Sequence, residues 1–206
     1  TSPDDPDEAR WHCVGQPVSR FDEVRLVHPS TETIVARGEI GELITRGPYT
    51  IRGFYNAPEL NADSFTSDGF YRSGDLLSER QIDGQIYYAY EGRIKDVIDR
   101  GGEKINAQEI ERVLMQHPKI LAAALVAMTS KSMGQRACAF VTKRDSDGPV
   151  LTLKDMQDFL EAQGVAKFKW PERLEVIDDL PVTKNNKPDK IAMRGIIAEK
   201  LAQEKA

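Results

Sequence analysis

Apolar positions along this chain change their period about halfway. Residues 21–28 set Val24 and Leu26 between charged neighbours, and residues 40–45 form a second short apolar run. Alternation of this kind predicts half-buried strands. Leu76-Leu77 and residues 86–90 flank Asp83-Gly84, a dipeptide suited to the positive φ angles of a tight hairpin turn. Gly47-Pro48 and Ala57-Pro58 punctuate the loops, and one short helix is expected after Pro58. The acidic, Pro-rich start, TSPDDPDEAR, reads as a loop.

After Arg93 the pattern turns helical. Asn106, followed by Glu109, predicts an N-cap, and Ile110, Val113 and Leu114 share one stripe of a helix ending near His117-Pro118. Residues 120–128 and 137–142 are continuous small and aliphatic runs, which suit buried strands. Thr152 is expected to cap a second helix with Leu153, Met156, Phe159 and Leu160 on one face. Residues 173–177 alternate again, and residues 190–205 predict a last helix carrying Ile191, Ile197 and Leu201. The expected fold class is α+β: a β-rich portion over residues 1–95, then a small α+β domain over 96–206.

Composition narrows the function classes. The chain has 206 residues, 40% apolar and 30% charged, an ordinary globular mixture. No apolar run approaches the roughly 20 residues that span a bilayer, and no signal-peptide layout opens the chain, so no membrane partner is expected. The net charge of −5 comes with Lys and Arg spread along the sequence, which argues against a nucleic-acid partner. Cys13 and Cys138 stand far apart in no CxxC or Cys/His cluster. A reducing cytoplasm fits them better than a disulfide framework. His12, His28 and His117 lack ligand spacing, so no protein-held metal is expected.

Three stretches carry the candidate chemistry: residues 69–75 (GFYRSGD), 92–105 (GRIKDVIDRGGEKI) and 180–190 (LPVTKNNKPDK). Singly, each has a plain reading. Ser73-Gly74-Asp75 reads as a turn, Arg93 and Lys95 as a solvated strand end, and the Lys187 segment as a surface loop. In this order and combination they resemble the late motifs of the adenylate-forming superfamily, which includes acyl-CoA synthetases, peptide-synthetase adenylation domains and firefly luciferase. The resemblance covers essentially the whole chain. The text TRGPYTIRGFYNAPELNADSF, GFYRSGDL, RGGEKINAQEIE and FKWPERLE further resembles the siderophore aryl-acid–AMP ligases, which activate 2,3-dihydroxybenzoate or salicylate.

That resemblance implies an ATP-dependent reaction. A carboxylate attacks the α-phosphate of ATP, pyrophosphate leaves, and the acyl group passes to a thiol. Asp75 matches the aspartate that binds both ribose hydroxyls, for which a carboxylate has two acceptor oxygens. Arg93 matches an arginine at the ribose or phosphate, where a guanidinium fork suits oxygen acceptors. Lys187 matches the catalytic lysine, whose ammonium lowers the repulsion between carboxylate and α-phosphate. Asp96 matches a hinge about which the C-terminal domain rotates after adenylation. Gly101 and Gly102 match the loop that lines the pantetheine tunnel, where a missing side chain lets backbone lie against a thin arm.

The chain also departs from the family pattern. Asn186 stands where a Gly commonly precedes the lysine; Asn is the non-glycine residue that best tolerates positive φ, so the loop geometry is expected to survive. Residues 84–92 make a hairpin two residues longer than in typical aryl-acid–AMP ligases. The superfamily's phosphate loop and its Tyr-Gly-x-Thr-Glu stretch do not occur in these residues, so the sequence reads as the end of a longer polypeptide, inactive or nearly so alone. The resemblance implies an aryl acid as substrate, ATP with its Mg²⁺, and an aryl carrier protein's phosphopantetheine as acceptor. An aryl-CoA ligase using free coenzyme A is the alternative enzyme, and a carrier-docking module the non-enzymatic one.

Overall fold

In the computed structural model, which describes residues 1–145 and 151–204, the alternating runs of the first half pair into one antiparallel meander. The chain divides into two units, Thr1–Lys95 and Asp96–Ala206. The first contains helix α1 (Asp7–His12), strands β1 (Glu23–Val27) and β2 (Ile40–Arg46), helix α2 (Pro58–Ser64), and strands β3 (Tyr71–Ile82) and β4 (Gln85–Arg93). The sheet order is β1-β2-β3-β4. Asp83 and Gly84 join the last two strands with φ of +48° and +79°, the pair of positive angles that a two-residue hairpin requires. Pro58 opens α2 at its first turn, where its missing N–H costs nothing.

Two expectations are corrected in this unit. The N-terminal stretch read as a loop contains α1. Ala9 is the one buried residue of that helix, packed with Ile82 and Tyr87, so no apolar stripe announces it. Ser73-Gly74-Asp75, read singly as a turn, lies inside β3. Both signals are real, because the strand bulges there. From Ile44 to Glu42 on β2, the partner positions on β3 run from Arg72 to Leu76, and Gly74 takes φ +70° in between. A bulge consumes extra residues and turns side chains away from the regular pleat.

The second unit holds β5 (Val97–Arg100), β6 (Glu103–Asn106), α3 (Ala107–Leu114), β7 (Ile120–Ser130), β8 (Gly134–Lys143), α4 (Leu153–Ala162), β9 (Arg173–Val176) and α5 (Lys190–Gln203). Its sheet runs β6-β5-β8-β7, with β9 parallel to β8. The apolar runs of β7 and β8 are continuous because both faces are covered. Ala123, Leu125, Ala137, Ala139 and Val141 pack with Ile110, Leu114, Met156 and Leu160 of α3 and α4. Their alternates Ala124, Val126, Met128, Cys138 and Phe140 pack with Met193 and Ile197 of α5. At about 1.5–3 kcal/mol for each fully buried large apolar side chain, Met193 and Ile197 anchor α5 more firmly than any exposed contact does.

Both helix caps form as the sequence implies. Asn106 accepts from the N–H groups of Gln108 and Glu109, and Thr152 closes a reciprocal capping box with Asp155. The α5 face differs from expectation: Ile191 is 75% exposed and Met193 is fully buried. Met193, Ile197 and Leu201 follow the i, i+4 row of one helix face, which Ile191 does not join. Lys205, the last residue of the expected helix, lies outside the described residues. Among the described residues, no helix is long and apolar enough to cross a membrane.

Candidate active site

The bulge in β3 and a second irregularity in β4 bring Asp75 and Arg93 opposite each other. The β3–β4 register shifts between Leu76 and Leu77, and beyond the shift Asp75 pairs with Arg93. Arg93 Nε lies 2.8 Å from Asp75 Oδ1. That contact is an ion pair without hydrogen-bond alignment: Oδ1 is buried and makes no aligned hydrogen bond. The neighbouring charge of Asp75 raises the Arg93 pKa above its ordinary value, against the opposing effect of partial burial. The loop is further fixed from behind, since Asp75 N–H donates to Ser73 Oγ at 3.0 Å and Ser73 Oγ donates to Leu43 O at 2.8 Å.

Arg93, Ser73 and Gly74, though not Asp75 itself, edge an open cleft of ≈ 420 Å³, lined also by Glu42, Arg72 and Lys95. Arg72 is held at its wall by Glu42, 2.7 Å from Nη1, and by Glu32. Glu42 is buried, so this guanidinium is fixed in place by a largely desolvated partner. Arg72 lies inside the GFYRSGD stretch, but Glu42 does not stand out in the sequence. Their pairing depends on a strand register that residue types alone do not reveal.

In the second unit, Gly101 and Gly102 form the turn between β5 and β6, with φ of +61° and +99°. The turn expected there is therefore part of a hairpin, in which Arg100 pairs with Glu103. Asp99 ties it down: its Oδ1 accepts from Gly102 N–H at 2.8 Å, and Lys104 Nζ donates to its other oxygen. Lys104 first, then Gly102 N–H, hold the Asp99 carboxyl below the usual carboxylate range. A Cβ built on Gly102 would meet nothing within 4 Å, whereas one on Gly101 would come within 3.3 Å of Met133. The outer face of Gly102 is thus open backbone.

Lys187 lies on a separate exposed hairpin. Thr183 N–H donates to Lys187 O at 2.8 Å, and Asn186 N–H to Thr183 O at 2.9 Å. Asn186 sits between them at φ +56°. Asn thus occupies the left-handed position here, as its side chain permits. Among the described residues, the Lys187 ammonium has no carboxylate partner within ion-pair distance. Asp189 closes the foot of the hairpin by donating its N–H to Pro181 O at 2.7 Å. Its side chain accepts from Ile191 and Ala192 N–H and so caps α5.

Asp96 ends a short 3-10 turn, Ile94–Asp96. Its carboxylate lies 3.7 Å from Lys190 Nζ and 3.8 Å from Arg194 Nη1. Lys190 Nζ also lies 2.8 Å from Glu111 Oε1. Asp75 with Arg93 in one unit, and Asp96 with Lys190 and Glu111 in the other, are the groupings that the strands and helices bring together. Gly102 and Lys187 stand on different hairpins of the second unit.

Residues 109–187 match the AMP-binding enzyme C-terminal domain. The chain is 45% identical over 96% of its length to the 2,3-dihydroxybenzoate-AMP ligase of Bacillus subtilis (strain 168), of which it covers 35%. It is 48% identical over 93% of its length to pyochelin synthase PchD of Pseudomonas aeruginosa (strain UCBPP-PA14), covering 34% of that protein. The chain thus spans about a third of the length of these relatives. Among solved structures, ATP-bound MatB from Rhodopseudomonas palustris superimposes with a TM-score of 0.78 at 28% identity, over 87% of this chain and 35% of that one. Residues 109–187 thus carry the AMP-binding enzyme C-terminal domain, and the chain as a whole is similar to adenylate-forming enzymes over about a third of their length.

Proposed function

We propose that this chain is the C-terminal segment of a ligase that activates an aryl carboxylic acid with ATP and passes the acyl group to a thiol. The named activity of the 2,3-dihydroxybenzoate-AMP ligase it resembles supports an aryl acid as substrate. The acceptor in this reading is the phosphopantetheine of an aryl carrier protein. Residues 1–95 close the large adenylation domain, and residues 96–206 form the mobile domain that changes its presentation about Asp96. Two thiols without a disulfide, Cys13 and Cys138, suit a reducing cytoplasm.

The observation that carries the reading is the display of Lys187: an ammonium without an ion-pair partner among the described residues, on a hairpin whose shape Asn186 and the Thr183–Lys187 ladder fix. Such a cation can enter between two anions, a carboxylate and an α-phosphate, without first breaking a salt bridge of its own. Asp75 offers its carboxylate to the ribose hydroxyls, and Arg93, which lines the neighbouring cleft, holds it in register. Mg²⁺ would arrive with ATP; no residue of this chain is assigned to it. Gly102 leaves a bare backbone against which a pantetheine arm can lie.

The test is ATP–pyrophosphate exchange by the enzyme that contains this chain, across 2,3-dihydroxybenzoate, salicylate and benzoate. Acid-dependent exchange is expected, with at most a trace from the 206 residues alone. Exchange that no aryl acid stimulates would overturn the substrate class. Supplying a carrier protein in one arm and coenzyme A in the other separates carrier loading from an aryl-CoA ligase. Absence of exchange with any acid, alongside retained carrier binding, would leave a docking module in its place.

A further inference from the structure

The Lys187 hairpin has no core of its own. Residues 182–188 are all exposed, and the hairpin is fixed at its foot, where Asp189 bonds Pro181 and caps α5. Its direction therefore follows that of the first turn of α5. Met193, which closes the first turn, and Ile197 hold that helix on the sheet, but apolar contact is non-directional. Ile191, within the first turn, faces solvent.

Lys190 supplies the missing directional contact. Its side chain is 16% exposed, and its ammonium lies 2.8 Å from Glu111 Oε1. Glu111 is itself fixed, because Oε1 accepts from Leu125 N–H at 2.6 Å. Leu125 belongs to β7, the edge strand of the sheet, so the carboxylate both closes an open edge and receives the lysine. Asp96, shared with Arg194, lies 3.7 Å from the same ammonium. Hydrogen bonds that involve a charge have sharper geometry than apolar packing, and here they join α3, β7 and the start of α5.

We propose that Lys190, clasped by Glu111, is a positioning residue that aims the Lys187 hairpin through the first turn of α5. This rests on the catalytic reading of Lys187 given above. Lys190 touches no reacting atom in this scheme; it limits the arc over which Lys187 can swing.

The enzyme that contains this chain is assayed for adenylation by pyrophosphate exchange, and for thioester formation from preformed acyl-adenylate. Lys190→Met should lower adenylation on the order of 100-fold, the penalty a displacement near 1 Å can carry, and leave thioester formation unchanged. Lys190→Arg should restore most of the loss. Glu111→Gln, which keeps an oxygen for Leu125 N–H, should reproduce the selective defect. Equal loss in both half-reactions, or none in adenylation, overturns the proposal.

Lys187→Ala is measured beside them. Should Lys187→Ala abolish adenylation while Lys190→Met spares it, the catalytic reading stands and the positioning role falls. Hydrogen exchange on the 206-residue chain decides the clasp without reference to activity. Protection of the Thr183, Asn186 and Asp189 amides should fall by about tenfold in Lys190→Met, the factor one charge-assisted hydrogen bond carries, with Phe140 and Val141 unchanged. Unaltered protection at the hairpin would remove the clasp even if Lys187 proves catalytic.

Discussion

Arg93 Nε sits 2.8 Å from Asp75 Oδ1 across the β3–β4 ladder, while the Asp75 N–H is held by Ser73 Oγ. With Arg93 48% and Asp75 26% exposed, this partly exposed pair contributes only about 0–1 kcal/mol to folding. Under the ribose-binding reading proposed above, its worth lies in holding Asp75 for the nucleotide. Asp75→Asn should leave the melting temperature of the chain within about 2 °C, in line with that small term. In the enzyme that contains it, the KM for ATP should rise by about ten- to a hundredfold, the loss expected of a charged hydrogen-bond acceptor. Calorimetry and ATP titration of the same variant check the two halves.

Lys187→Ala should lower adenylation by about two to three powers of ten, the usual loss when one preorganised charge-stabilising group is removed. Thioester formation from a preformed acyl-adenylate should persist, because the carboxylate and phosphate have by then already been joined. Rapid-mix assays of each half-reaction measure this. An equal fall in both would assign the lysine another role.

Gly102 separates backbone strain from obstruction. At φ +99° any side chain costs about 1–3 kcal/mol of turn stability, and a Cβ there meets no atom within 4 Å. Gly102→Ala and Gly102→Leu should therefore lower stability alike. Only the leucine should block thiol transfer while sparing adenylation. Equal transfer by the two variants would take the thiol arm away from this loop.

His117 should make stability depend on pH. Burial lowers its pKa below the ordinary 6.5, with Lys119 adding to the effect and Asp155 opposing it. The unfolded chain thus takes up the proton first as pH falls. Stability is then full above pH 6.5 and declines below it, until the folded imidazole also titrates, with a slope of at most about 1.4 kcal/mol per pH unit. His117 Nδ1 accepts from Lys119 N–H at 3.1 Å, and His117→Asn can keep that acceptor while removing the charge change. Urea titrations between pH 7.5 and 5.5 should show a flatter profile for the variant.

Much of the fold is legible in the residues because its cues are local. Asn106 and Thr152 cap helices by bonding N–H groups two or three positions on, and Asp83-Gly84 makes its turn by its own backbone preference. Helix α1 is silent, since one buried alanine leaves no periodic stripe. Ser73-Gly74-Asp75 carries turn chemistry inside a strand, and only the β2 partner reveals that the turn is a bulge. The named site residues come from motif resemblance. The Glu111–Lys190 clasp and the buried Glu42–Arg72 pair come from the fold alone, because their partners lie far apart along the chain.

The sheet of the second unit has one more consequence. Since β7 and β8 present apolar side chains to both layers, a slip of one position would exchange two greasy faces and expose no greater apolar area. Water therefore does not police the alignment of these strands, as it does in a one-sided sheet. Alignment is left to shape and to the ends: alanines opposite α3 and α4, Phe140 under α5, the tight return at Ser130 and Gly134, and the Glu111 carboxylate on Leu125 N–H. A volume-conserving aliphatic exchange along these strands should therefore cost less than lengthening the return between Ser130 and Gly134 by one residue, which would shift the facing pairs.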